Sequence, residues 1–394
     1  MTEAHATIGG GGNNTATGYA SVVAGGGGYE DYMTLLPAWP LVGNTASGAW
    51  SAVGGGGNNA AGGHASTVAG GFGNQAIGDY ATIAGGGQVD PADPATANLV
   101  TENYGTISGG GWNTASGDHA TVGGGIANTA SGEGATVGGG NSNTASGGRA
   151  TVGGGTVNTA SGWAATVPGG DGNTAQGNYS FAAGRQAQAN HDGAFVWADS
   201  TGMTFPSATP NEFAARASGG FFFATTADAS VGATLNPGSG TWSMISDRNV
   251  KANFSPVDGN EVLARLAAIP IQTWNYKTQN SAIRHVGPTA QDFYAAFGVG
   301  EDDKHISSVD ADGVALAAIQ GLYEVVQEKD ARIARLEAQN AGLEARVAAL
   351  EQAVSAKGPP PQPARLPVPG WIFGGLLLAG LVVEQRRRGG REQP

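Results

Sequence analysis

Asparagine returns every fifteen residues through the first half of this chain, at Asn113, Asn128, Asn143, Asn158 and Asn173. No other feature of the sequence restricts the fold so tightly. Gly117, Gly132, Gly147, Gly162 and Gly177 keep the same step, as do Thr121, Thr136, Thr151 and Thr166, so one unit reads Ala-Thr-Val-Gly-Gly-Gly-x-x-Asn-Thr-Ala-Ser-Gly. Asn44, Asn59 and Asn74 carry the register toward the N-terminus, and the stretches 29–42 and 88–104 interrupt it as insertions. The unit is too short for a helical repeat and suits one coil of a β-solenoid or β-roll. Ala-Thr-Val supplies a short alternating strand, while Asn-Thr-Ala-Ser-Gly is expected to be a turn in which Asn and Gly take positive φ. One coil buries almost nothing, so coils must stack and hide a column of Val, Ile and Ala. The 69 glycines among 394 residues exceed the usual share of about 7% because the repeat demands them; low-complexity disorder would need no fixed register.

Composition narrows the chemistry. Cysteine is absent, which removes disulfide frameworks and thiolate metal sites. A net charge of -12 argues against nucleic acid as a partner, since its phosphates would be repelled. No metal or cofactor is expected. Asp310-Ala311-Asp312-Gly313 begins like a calcium loop, but Gly321 stands where the loop needs Glu, so a turn and helix cap explain it better. Gly169-Gly170-Asp171-Gly172 is a single near-match to the calcium-binding nonapeptide, and the six histidines are scattered.

The repeat units from residue 4 to 184 resemble the heads of trimeric autotransporter adhesins, a resemblance that implies β-rolls in a trimer. The chain departs from that group at its anchor, because no set of amphipathic C-terminal strands would close an outer-membrane barrel. The repeat is already under way at His5, with no signal-peptide pattern before it. From 191 to 245 the character changes: Phe195-Val196-Trp197-Ala198, Phe213-Ala214-Ala215-Arg216-Ala217 and Phe221-Phe222-Phe223 are aromatic β-type runs broken by Gly, Pro and Asn. They read as a β-rich neck whose aromatics serve core packing or, alternatively, a glycan-stacking surface.

Next comes Ser246-Asp247-Arg248-Asn249-Val250-Lys251, in which a hydroxyl and an amine five positions apart could act as nucleophile and base. Pro270-Ile271-Gln272-Thr273-Trp274-Asn275-Tyr276 and Arg284-His285-Val286-Gly287-Pro288-Thr289-Ala290-Gln291-Asp292-Phe293 follow in order. Together these three stretches closely resemble the intramolecular chaperone auto-processing domain, the peptidase S74 group of endosialidases and other phage tail spikes. The resemblance implies a domain that trimerises, helps fold the fibre ahead of it, and is released by self-cleavage between Ser246 and Asp247, with Ser246 and Lys251 as the reactive pair. A serine attacking its own carbonyl would close a strained four-membered ring, so help from another chain or from Asp247 is needed, and Lys251 must be neutral to act as a base. His285 either assists proton transfer or hydrogen-bonds within the core.

Beyond Gly313 the pattern is a coiled coil. Ile319, Val326, Ile333, Asn340, Val347 and Val354 fall at heptad position a, and Leu322, Lys329, Leu336, Leu343 and Leu350 at d. Arg332 with Glu337 and Arg346 with Glu351 have the spacing of interchain ion pairs between parallel helices. Branched residues at a with Leu at d favour a dimer, whereas the family resemblance implies a trimer. A Pro-rich linker then leads to Trp371–Val383, an uncharged apolar run of 13 residues followed by Arg386, Arg387 and Arg388. It is shorter than the roughly 20 residues usually needed to span a bilayer, yet Trp at one end and arginines at the other are interface anchors that place the C-terminus inside. A buried core helix is the alternative.

The expected organisation is mainly β: a head of 15-residue repeats (1–190), a β-rich neck (191–245), a small α+β chaperone domain (246–313), a coiled coil (314–354), a Pro-rich linker (355–370), an apolar membrane segment (371–383) and a basic tail (384–394). The expected function is a homotrimeric surface fibre, an adhesin or tail-spike-like protein, whose head meets a surface glycan or receptor outside the cell and is released by self-processing. The alternative is a structural surface fibre in which the S74-like segment trimerises without cutting.

Overall fold

The computed structural model describes residues 5–28, 43–87, 89 and 96–358. They form two compact units that divide between Val250 and Lys251. In the first, each coil contributes two two-residue strands, for example Thr121–Val122 and Thr129–Ala130. Each pairs in parallel with its counterpart one coil on, Thr121 with Thr136 and Thr129 with Thr144. The result is two parallel sheets, one running from Thr7–Ile8 to Phe213–Arg216 and the other from Thr15–Ala16 to Phe205–Pro206. The first residue of each repeat strand faces out and the second faces in, so Val122, Val137, Val152 and Val167 stack along one sheet and Ala115, Ala130, Ala145 and Ala160 along the other, all but fully buried. This is the stacked column that the repeat requires.

Asn-Thr-Ala-Ser-Gly, however, is not a turn. Its Thr-Ala is the second strand of the coil, and its Asn is fully buried. Positive φ falls on the residue before the Asn, as at Ala127, Ser142 and Val157, and two residues after the following glycine, as at His119, Arg149 and Tyr179. The asparagine is withdrawn inward because its amide can serve backbone groups that no strand satisfies. Asn128 Nδ2 donates to the carbonyls of Gly124 and Gly140, each at 2.9 Å, and to Asn113 Oδ1 at 3.2 Å. Its own Oδ1 accepts from the backbone N–H of Asn143 at 3.0 Å and from Asn143 Nδ2 at 3.1 Å.

Asn14 and Asn98 join the same ladder, and Leu99–Val100 and Thr106–Ile107 pair with the coils on either side. The second insertion is therefore shorter than 88–104, because the coil resumes by Asn98. Glycine is required where coils meet most closely: Gly140 has φ +91, and a Cβ on it would lie 2.2 Å from the carbonyl oxygen of Gly155.

At its C-terminal end the solenoid is tied by Asp199. This carboxylate accepts from the backbone N–H groups of Thr201 at 3.1 Å and Ser218 at 2.7 Å and from Arg216 Nε at 3.1 Å, while Arg216 donates to the carbonyls of Met203 and Thr201. Hydrogen bonds from Ser218, and then from Thr201, hold the carboxyl well below the usual carboxylate range. Strands Phe221–Ala224, Gly232–Leu235 and Trp242–Met244 then form a separate antiparallel sheet.

In the second unit, helix α1 (Gly259–Ala268) is capped by Asp258, α2 (Ala290–Phe297) by Thr289, and α3 (Ser308–Ala356) by Ser307. α3 is continuous from Ser308 through the heptad region, and Asp310 lies in its first turn, where a carboxylate is favoured by the helix dipole. No described helix is long and apolar enough to cross a membrane; the apolar segment 371–383, the linker from 359 and the basic tail lie outside the described residues.

The head yields three predictions. Asn128→Ala leaves the Gly124 carbonyl and the Asn143 N–H without partners and removes one of the two donors to the Gly140 carbonyl, which keeps the Ile126 N–H; it is expected to destabilise the solenoid by about 3 kcal/mol, read as a lower melting temperature. Ser66→Ala should do the reverse. Ser66 Oγ is buried without a hydrogen bond, while Ala81, Ala120 and Ala135 hold the equivalent place in later coils.

The third concerns acid. Because the folded pKa of Asp199 is depressed, its stabilisation is complete above the unfolded value of about 3.9 and is lost as pH falls through that value toward the lower folded one. Asp199→Asn should flatten the acid limb of a melting-temperature profile below about pH 4. An unchanged limb would show that the carboxylate contributes nothing there.

Candidate auto-processing site

Ser246 and Asp247 come just after the edge strand Trp242–Met244, near the end of the first unit. Both are exposed. Asp247 Oδ1 accepts from the backbone N–H of Asn249 at 2.9 Å and from Asn249 Nδ2 at 3.0 Å, an Asx turn that starts the short 3₁₀ helix Arg248–Val250. The Asp-x-Asn spacing produces this turn locally. It holds the carboxylate beside the backbone of its own loop. Lys251 is the first residue of the second unit and is also exposed.

His285 lies on a hairpin of the second unit. Strand Gln272–Trp274 pairs antiparallel with His285–Gly287, placing Trp274 opposite His285. The imidazole is half-buried, 4.8 Å from the Trp274 ring and 5.8 Å from Tyr276. Its Nε2 is 2.9 Å from Gln279 Oε1. With that oxygen as acceptor, Nε2 carries the proton and Nδ1 is the nitrogen left for other chemistry.

Arg284 reinforces the hairpin by donating to Thr273 O at 2.7 Å, Thr273 Oγ1 at 3.0 Å and Asn275 Oδ1 at 3.2 Å. The structure thus brings the second and third sequence stretches together, with Trp274 and Tyr276 of one against Arg284 and His285 of the other. Gln279 was not anticipated. It stands in the loop between the two stretches, and only closure of the hairpin makes it a partner of His285.

The helices of the second unit are joined to one another. Arg265 pairs with Glu261 and donates to the Ala296 carbonyl at 2.8 Å, joining α1 to α2. Asn260 Nδ2 donates to Glu324 Oε2 at 2.8 Å, joining α1 to α3. α1 and α3 cross at Gly259 and Gly321, where a Cβ on Gly321 would stand 2.2 Å from the Gly259 carbonyl oxygen. Phe293 of α2 is buried with its ring 5.0 Å from Phe297. The seam of α3 is open in the single chain: Leu322, Val326, Ile333, Leu336, Leu343 and Leu350 are all exposed.

Gly321→Ala is expected to force α1 away from α3 and to cost about 1–3 kcal/mol. The loss should appear as an earlier unfolding transition of the second unit, with the solenoid transition unmoved. Retention of the wild-type transition would mean that the crossing relaxes freely.

Against known proteins, residues 246–299 match the family model of the peptidase S74 domain, described as the chaperone of endosialidase. That span contains all three sequence stretches, the hairpin, α1 and α2. No curated protein matches the chain. The chain therefore carries a chaperone-of-endosialidase, peptidase S74 domain at residues 246–299 behind a β-solenoid head.

Proposed function

We propose that this chain is a homotrimeric surface fibre whose C-terminal domain acts as an intramolecular chaperone: it gathers three copies, assists folding of the solenoid and then cuts between Ser246 and Asp247. The observation that carries the reading is the family match over residues 246–299, which opens on the Ser246–Lys251 motif. The exposed heptad seam of α3 supplies a surface for association. Solenoid stacks fold by adding coils to a formed neighbour, so a domain that aligns three chains gives such a head a common starting point.

The net reaction is hydrolysis. The Ser246 carbonyl carbon gains an oxygen from water, its bond to the Asp247 nitrogen breaks, and that nitrogen leaves as an amine. Ser246 Oγ cannot reach its own carbonyl without a four-membered ring, so the attacking oxygen is the Ser246 Oγ of a neighbouring chain, and water then hydrolyses the ester that forms. The role of Lys251 is to accept the proton of the attacking oxygen, which requires a neutral amine. His285 is a further proton carrier through Nδ1. Dependence on a neighbouring copy would restrict cutting to assembled fibres.

The released part would be the head, an adhesin or tail-spike-like fibre directed at a surface glycan or receptor. The remainder, from Asp247 onward, keeps the apolar run 371–383 and Arg386 to Arg388, and would stay with a membrane whose outer side carries the head.

Mass spectrometry of the expressed chain tests the cut. The wild type should give a fragment beginning at Asp247, and Ser246→Ala and Lys251→Ala should remain intact while light scattering still reports a trimer. Cells making the wild type should show head in the medium, and Ser246→Ala should hold full-length protein in the membrane fraction. An intact wild-type trimer would leave a fibre that assembles without cutting. Equal cleavage of the alanine variants would assign the cut to another protease.

A further inference from the structure

Within the antiparallel sheet of the first unit, Phe221 pairs with Leu235, Phe223 with Ala233, Leu235 with Trp242 and Ala233 with Met244. Strand alternation therefore places those six residues on one face, and Phe222, Thr234 and Ser243 on the other. The six-residue face carries no charged or hydroxyl side chain. It is also uncovered: Phe223 is 56% exposed, Trp242 50% and Met244 45%. The Phe221 and Phe223 rings stand 6.4 Å apart, and Phe223 and Trp242 5.6 Å, so the rings cluster with one another across the open face. No residue from 208 to 250 is buried. A three-stranded sheet needs a buried apolar face for independent stability, and the described residues of the first unit leave this face exposed.

The change begins upstream, on the outer side of the solenoid. The outward residue of the first sheet is Thr at 121, 136, 151 and 166, then Phe at 181, 195 and 213. These three rings stack at 4.6 and 4.8 Å, and Phe213 is 71% exposed. A hydroxyl-lined surface suited to water gives way to an aromatic one as the chain approaches residue 244.

We infer that the face formed by Phe221, Phe223, Ala233, Leu235, Trp242 and Met244 is a self-association surface, occupied by the same face of other copies of this chain. An uncharged aromatic surface selects an apolar partner, and a threefold axis can gather this same face from three copies around it, each copy contacting its neighbours head to tail. The copies are at hand: Arg332 with Glu337 and Arg346 with Glu351 have the interchain spacing of parallel helices, and chains joined through one segment meet through another at high effective concentration. The inference rests on the multimeric reading proposed above. It places a contact on the head side of the Ser246–Asp247 bond, separate from the heptad seam.

The absence of native cysteine allows a direct test in the full-length chain. Ala233→Cys puts one thiol on the apolar face and Thr234→Cys one on the opposite face. A short bis-maleimide should join Ala233→Cys chains several-fold more efficiently than Thr234→Cys chains, and adding Phe223→Asp to the former should suppress the joining. Light scattering on the same samples separates the two claims. A multimer in which the two cysteine variants react alike, or neither reacts, overturns the face as an interface and leaves the fibre reading standing. A monomer overturns both.

Discussion

The buried asparagine ladder is the interaction on which the head depends. Strands of two residues cannot satisfy a fifteen-residue coil by sheet pairing alone, and the glycine carbonyls between them are left inside, where an unmade hydrogen bond is costly. Asn128 answers two of these carbonyls, one from its own coil and one from the next, and is in turn bonded to the asparagines on both sides. The amide is suited to this because it offers donors and an acceptor in one plane. A carboxylate would lack the donors, and Leu would satisfy neither group. The glycines follow from the ladder, since Gly140 approaches Gly155 too closely for any Cβ. Stability is therefore shared along the stack, each coil supplying partners to its neighbours.

Where that ladder ends, the means of stabilisation change. After Asn173 accepts from the N–H of Ala187, the chain turns to the Asp199–Arg216 network and then to a sheet with no buried residue. The second unit is similar in this respect: Phe293, Ala318 and Gly321 are the only buried residues of its described part. Long stretches of apolar surface thus remain open in both units.

The proposed auto-processing motif, Ser246 to Lys251, runs across the division of the chain into its two units. Asp247 is drawn into an Asx turn with Asn249, which gives the residue after the proposed scissile bond a defined backbone shape. His285 is held by Gln279 and by two aromatic rings, so its orientation is set before any chemistry begins. Ser246 and Lys251 are both exposed.

The sequence alone determined that coils stack, because a fixed period of fifteen with inward Val and Ala has no other way to bury its apolar residues. It also determined the heptad helix and, from three short motifs each contiguous in the chain, a domain beginning at Ser246, whose expected end is 313 where the family match covers 246–299. It did not reveal what the asparagines do. Asn and Gly together read as a turn, and an amide serves backbone groups equally well at a turn or in an interior; only the carbonyls of the neighbouring coils decided for the interior. The same limit hid Asn14, Asn98 and Gln279, whose partners lie on other coils or strands, and the isolated burial of Ser66. Periodicity is local and can be read along the chain. Satisfaction of polar groups and exposure of an apolar face depend on which distant segments arrive beside them, and that is settled only in the tertiary structure.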